Sequence, residues 1–231
     1  MSLLLIHGAG NTGLVWHYQT KFFSDSEAIN LPGHPEGKLC TSINEYAEWL
    51  HEYIRRKSLS RPVIAGHSMG GAIAQMYALN YPQDVEALIL IDTGARLRVR
   101  PDFLKSLEDG LEAPADWLKN VVEPPYRQVD HEVRQNIING VINVGVAVQL
   151  NDFRCCDKFD IMDKVNQITV PVLVICGAED DMTPVKYSQY LADKISGANL
   201  VIVEEGSHYC FLEKPVEANR AIEEFLRSFK T

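Results

Sequence analysis

The chain has no excess of basic charge: 22 Lys and Arg residues stand against 31 Asp and Glu, a net charge of −9. Nucleic acid and anionic membrane surfaces both need a basic face, so neither is expected as a partner. No run approaches the roughly 18 apolar residues of a membrane span. The apolar start at residues 2–6 is too short, and has no basic residue before it, to read as a secretory leader. The five cysteines (Cys40, Cys155, Cys156, Cys176 and Cys210) include no C-x-x-C pair, which argues against a zinc or dithiol site. The adjacent Cys155 and Cys156 read as free thiols in a reducing compartment. Metal-ligand clusters, a Walker loop and a dinucleotide fingerprint are also missing, so no cofactor is expected. Together these absences predict a soluble, cytoplasmic monomer or homodimer acting on a small molecule. The 231 residues, 46% of them hydrophobic, suffice for one domain with a sizeable core.

Apolar runs at 3–6, 28–31, 61–65, 87–91, 171–176 and 200–203 read as strands. Stretches at 12–23, 43–57, 71–79, 187–195 and 216–229 read as helices; in the second of these Ile43, Tyr46, Ala47, Leu50, Tyr53 and Ile54 recur at helical spacing. Strands separated by helices predict parallel β-α-β units in an α/β fold with a mostly parallel, doubly wound sheet. Ligands then bind at the C-terminal ends of the strands. From 96 to 165 the pattern changes to charged helical segments broken by Pro101, Pro114, Pro124 and Pro125. Within it, 133–150 mixes helical spacing with β-branched runs, leaving a strand open there. The division expected is a core of 1–95 and 166–231 with a helical cap inserted at 96–165.

Between the strand at 61–65 and the helix at 71–79 lies Gly66-His67-Ser68-Met69-Gly70. It fits G-x-S-x-G in the strand–turn–helix context that this motif requires. Such a turn pushes the serine hydroxyl out above the sheet edge, and its flanking glycines avoid collisions a Cβ would cause. Met69 and Gly70 open a helix, so their N–H groups are free to face an anion. A glycine-rich turn in an ordinary α/β protein is the plainer alternative. Serine needs a base, and the base an orienting acid. Two later loops, each just past a strand, offer them: Gly177-Ala178-Glu179-Asp180-Asp181-Met182-Thr183-Pro184 and Glu204-Glu205-Gly206-Ser207-His208.

In this order of nucleophile, acid and histidine the sequence resembles the α/β-hydrolase superfamily over nearly its whole length. His7-Gly8 resembles the oxyanion loop, and Asn30-Leu31-Pro32-Gly33-His34 the D-x-P-G-x-G loop. The resemblance implies Ser68 as nucleophile, Asp180 as acid, His208 as base, and an oxyanion hole from the Ala9 and Met69 N–H groups. Asp181 and Asp92 remain rival acids. The usual antiparallel strands before the oxyanion strand are missing from this chain, Asn30 replaces an aspartate, and Pro35 replaces a glycine. The activity implied is hydrolysis of a small carboxylic ester through an acyl-enzyme. Thioester, lactone and C–C bond hydrolysis, proton-abstracting lyase chemistry, a non-catalytic receptor and a scaffold acting through the cap stay open as alternatives. Trp16, Phe103, Trp117, Phe153 and Tyr209 are candidates to line an acyl pocket, each with plain core as its rival role. Arg96, Arg98 and Arg100 are candidates to bind a substrate carboxylate, or to form a solvated face.

Overall fold

The structure, a computed structural model, describes residues 2–228. Six strands form one sheet: β1 (Leu3–Ile6), β2 (Ser26–Ile29), β3 (Val63–His67), β4 (Ala87–Ile91), β5 (Val172–Gly177) and β6 (Asn199–Val203). Their order is β2-β1-β3-β4-β5-β6, and every pair is parallel. The order turns back between β1 and β3, the switch point at which open α/β sheets bind ligands.

The helices are α1 (His17–Phe22), α2 (Ile43–Arg56), α3 (Met69–Asn80), α4 (Pro101–Gly110), α5 (Pro114–Trp117), α6 (His131–Val144), α7 (Val146–Lys158), α8 (Val185–Lys194), α9 (Cys210–Glu213) and α10 (Pro215–Arg227). Strand alternation divides the core. Leu4, Ile6, Ile64, Leu88, Leu90, Val172 and Val174 face α2, α3 and α8. Leu3, Leu5, Val63, Ala65, Ile89, Ile91 and Ile175 face the side covered by Trp16 and α10. Period-2 strands buried on both faces read as near-continuous apolar runs, which is why the four central ones were visible in the sequence.

Between β4 and β5 the chain forms α4 to α7 and, among the described residues, no strand beyond one isolated bridge from Arg96 to Asp160. The stretch 133–150, where a strand was open, is two helices broken at Gly145, whose φ of 86° no β-branched residue adopts comfortably. The β-branched residues in α6 are explained by burial: Val133, Ile137, Ile138, Val141 and Val144 are all in the core. Helix α9 was not foreseen; four residues are too few to show a period. The closing helix ends at Arg227, and its expected end at Phe229 lies outside the described residues.

Candidate active site

Ser68 sits between β3 and α3 with φ 53°, a strained value for a residue with a side chain. The surroundings hold it there. Its N–H donates to the Ile91 carbonyl of β4 at 3.0 Å, and its carbonyl accepts the Thr93 hydroxyl at 2.8 Å. The neighbouring glycines are obligatory. A Cβ on Gly66 would run into the Gly70 carbonyl, and one on Gly70 would lie 2.7 Å from the His7 carbonyl. The Ser68 side chain borders a cavity of about 490 Å³.

His208 borders the same cavity. Its Nδ1–H donates to Asp180 Oδ2 at 2.9 Å, so Nε2 is the nitrogen left for a proton acceptor's role. Asp180 is heavily hydrogen-bonded: Oδ1 accepts the N–H groups of Met182 and Thr183, each at 2.9 Å, and Oδ2 accepts the Thr183 hydroxyl at 2.7 Å. Burial alone would raise the carboxyl's pKa, but His208 and the Thr183 donors outweigh it and hold Asp180 well below the usual carboxylate range. Burial would lower the His208 pKa, and the Asp180 carboxylate outweighs that and raises it. The two loops are laced together, Ala178 N–H to the Val203 carbonyl at 2.9 Å and Glu179 N–H to the Gly206 carbonyl at 2.8 Å.

The rival acids stand elsewhere. Asp181 lines the cavity but makes no hydrogen bond to His208 among the described residues. Asp92 is fully buried, accepting N–H groups from Gly177 at 2.9 Å and Cys210 at 3.3 Å. It thus ties together the loops that carry Asp180 and His208, and burial pushes its pKa up to about 8.

The Ala9 and Met69 N–H groups are without an acceptor among the described residues; Met69 is the first residue of α3. The peptide that carries the Ala9 N–H is fixed by its own carbonyl. Gly8 O accepts His7 Nδ1–H at 2.9 Å and Asn11 N–H at 3.3 Å. In a trans peptide the N–H points opposite the C=O, so anchoring one aims the other. His67, beside Ser68, donates from Nε2 to the His208 carbonyl at 2.8 Å. Burial, then His208, drop its pKa to about 3, so it is neutral.

Of the five aromatic candidates, Phe103, Phe153 and Tyr209 line the cavity. Trp16 does not: it is wholly buried beneath the sheet against Phe211, ring centroids 4.5 Å apart. Trp117 is also off the cavity, buried and donating to Gln149 Oε1 at 2.6 Å. Arg96 pairs loosely with Asp160 at 3.7 Å, whereas Arg98 and Arg100 line the cavity together with Arg127. Asp152 of α7 and Tyr126 were not anticipated from the sequence. Asp152 is fully buried. Its sequence signal is a charge three and four residues before Cys155 and Cys156, on the apolar face of its helix. Tyr126 closes a ring with Asn11 and Tyr209: its hydroxyl donates to Asn11 Oδ1 at 2.8 Å, Asn11 Nδ2 donates to the Tyr209 hydroxyl at 3.1 Å, and the two hydroxyls are 3.1 Å apart.

Among the described residues, no group of three or more His, Cys, Asp or Glu is placed to hold a metal, and no helix is long and apolar enough to cross a membrane.

Known proteins share the fold of this chain over nearly its whole length. A solved thermophilic esterase is 32% identical and superposes with a TM-score of 0.83, over 98% of this chain and 90% of that one. Monoacylglycerol lipase abhd6-A of Xenopus laevis is 24% identical over 261 aligned positions, covering 100% of this chain and 76% of the relative. A putative 2-succinyl-6-hydroxy-2,4-cyclohexadiene-1-carboxylate synthase of Bacillus subtilis is 26% identical, covering 98% of this chain and 90% of the relative. The sequence profile of the alpha/beta hydrolase family matches residues 3–221, nearly the full length, and the chain belongs to that family.

Proposed function

We propose that the protein is a serine hydrolase of small carboxylic esters. The observation that carries this reading is one cavity bordered by a serine held at positive φ and by a histidine whose far nitrogen is bound to a buried carboxylate. In the proposed mechanism His208 Nε2 takes the Ser68 proton as Oγ bonds to the ester carbonyl carbon, and the carbonyl π pair moves onto oxygen. The Ala9 and Met69 N–H groups receive that oxyanion, and they gain strength as its charge develops. The carbonyl re-forms, the C–O bond to the alcohol breaks, and His208 returns its proton to the leaving alkoxide. Water repeats the cycle on the acyl-enzyme and releases the acid. Asp180 stays ionised throughout and fixes the imidazole tautomer. No step needs a metal or organic cofactor.

The helical segment between β4 and β5 serves in this reading as a cap. It supplies Phe103 and Phe153, whose rings meet edge-on at 4.8 Å, to the acyl side of the cavity. The solved esterase and the lipase named above support an ester substrate. A second reading is favoured by one observation: Arg98, Arg100 and Arg127 on the cavity wall suit a substrate that carries a carboxylate, which favours C–C bond hydrolysis or proton-abstracting lyase chemistry.

The test is turnover of p-nitrophenyl acetate, butyrate, octanoate and palmitate, with Ser68→Ala as control. Turnover of the short esters that Ser68→Ala abolishes is expected. Turnover that survives in Ser68→Ala, or a wild-type Ser68 that a fluorophosphonate does not label, would sink the assignment. Labelling without ester turnover would favour the second reading.

A further inference from the structure

Gly10 follows the proposed oxyanion donor Ala9, and its N–H donates to Asp152 Oδ2 at 2.8 Å. Asp152 belongs to α7, in the cap. The bond therefore joins the oxyanion loop to a segment 142 residues away in sequence. The carboxylate is wholly buried, a placement that is costly unless every oxygen is satisfied. It is satisfied: Oδ2 also receives His34 Nε2 at 2.7 Å, and Oδ1 receives the Tyr46 hydroxyl at 2.7 Å. One turn earlier on α7, Gln149 packs so closely on Gly10 that a Cβ there would lie 2.7 Å from Gln149 Cβ. Gly10 itself has φ 64°.

We propose that Asp152 is a positioning residue for the oxyanion hole, through which the cap sets the orientation of the Ala9 N–H; this rests on the reading of the site given above. The steps are geometric. The Ala9–Gly10 peptide is held at both ends, its N–H by Asp152 and its Ala9 carbonyl by Asn11 Nδ2 at 3.3 Å. The preceding Gly8–Ala9 peptide is held only through its carbonyl. Rotation about the Ala9 backbone is the motion that would turn the Ala9 N–H from the cavity, and fixing the peptide planes on both sides removes it. Hydrogen bonds to a charged carboxylate are the strong kind, suited to this task.

The test compares Asp152→Ala with Tyr46→Phe, which removes a hydrogen bond to the same carboxylate but to the oxygen that does not hold Gly10. Kinetics with p-nitrophenyl butyrate are read beside affinity for an alkyl trifluoromethyl ketone, which Ser68 converts to a hemiketal oxyanion. Asp152→Ala is expected to lose on the order of 10²-fold in kcat, the scale of losing one oxyanion donor. Its KM should stay near wild type, and its affinity for the ketone should fall by the same factor as kcat. Tyr46→Phe should lose thermal stability but keep kcat and ketone affinity. The near-isosteric Asp152→Asn keeps an oxygen for Gly10 and the packing of α7, so it should fold and fall between the two. Equal kcat losses in Asp152→Ala and Tyr46→Phe, or a ketone affinity unchanged in either Asp152 variant, would overturn the inference. If Asp152→Ala does not fold, ketone affinity and kcat of Asp152→Asn falling in step carry the test. A wild-type protein in which Ser68 reacts with neither ester nor fluorophosphonate would overturn the underlying reading as well, and is a different result from a reactive Ser68 indifferent to Asp152.

Discussion

His7 holds the Gly8 carbonyl with one ring nitrogen and the chain at Leu31 with the other: Nδ1–H donates to Gly8 O at 2.9 Å, and Nε2 accepts the Leu31 N–H at 3.0 Å. One donor and one acceptor is the inventory of a neutral imidazole. Burial, then the nearby His34, hold its pKa well below the ordinary value, in keeping with those roles. His7 thus ties the end of β1 to the loop after β2 and aims the Gly8–Ala9 peptide at the same time. Phenylalanine at this position fills the space but strands the buried Leu31 N–H and leaves the Gly8 carbonyl with the Asn11 N–H at 3.3 Å alone. His7→Phe should therefore cost about 1–3 kcal/mol by urea denaturation, and lower kcat more than it raises KM.

In the proposed mechanism the His208–Asp180 pair sets the pH dependence. His208 acts as a base only when neutral, and its pKa is raised above 6.5 by the carboxylate. The acid limb of kcat/KM should accordingly have its midpoint above 6.5. In Asp180→Asn the midpoint should move down, and kcat should fall on the order of 10³–10⁴-fold as the tautomer is lost. The stability contributions have opposite signs. Asp180, with its folded pKa depressed, stabilises the fold above pH 3.8, and that stability is lost as pH falls through the folded value. His208, with its folded pKa raised, stabilises the fold below pH 6.5, and that contribution is lost as pH rises through its folded value. Urea midpoints measured across pH in wild type and Asp180→Asn would show both limbs.

Asp92 supplies the contrasting case. Its oxygens are occupied by the N–H groups of Gly177 and Cys210, so it braces the loops rather than the imidazole. Asp92→Asn should keep most of the ester turnover that Asp180→Asn loses. Its folded pKa of about 8 lies above the unfolded 3.8, so the unfolded chain gives up its proton first, and native stability falls as pH rises between those values. The loss of stability from pH 5 to pH 8 should be shallower in Asp92→Asn than in wild type. Turnover lost as completely as in Asp180→Asn would make Asp92 the acid.

The parts legible in the sequence are those encoded over short spans. The elbow places its strand, its glycines and its serine within a dozen residues, and the loops of Asp180 and His208 each follow a short β-branched apolar run, fully buried in β5 and partly exposed at the sheet edge in β6. Asp152 was illegible for the opposite reason. Its partners Gly10, His34 and Tyr46 are 142, 118 and 106 residues away, and nothing local says that a carboxylate in α7 meets them. Trp16 and Phe153 show a second limit. Both are large aromatic residues that burial favours, and only the tertiary packing decides which one meets the cavity and which one meets Phe211.

Phe103 and Phe153 face the cavity, whereas Trp16 is fully enclosed on the α10 side of the sheet. Truncating either phenylalanine enlarges the proposed acyl side, so Phe103→Ala and Phe153→Ala should shift preference along the p-nitrophenyl series toward longer chains. Because a methylene in an apolar pocket is worth about 1–3 kcal/mol, the change in relative kcat/KM between butyrate and octanoate should reach roughly 10-fold. Trp16→Ala should leave the chain-length profile where it was and instead lose about 3–5 kcal/mol of stability, the cost of emptying a large core site. The two measurements separate cleanly: a profile moved by Trp16→Ala but not by Phe153→Ala would put the acyl chain beside Trp16 and not in the cavity described here.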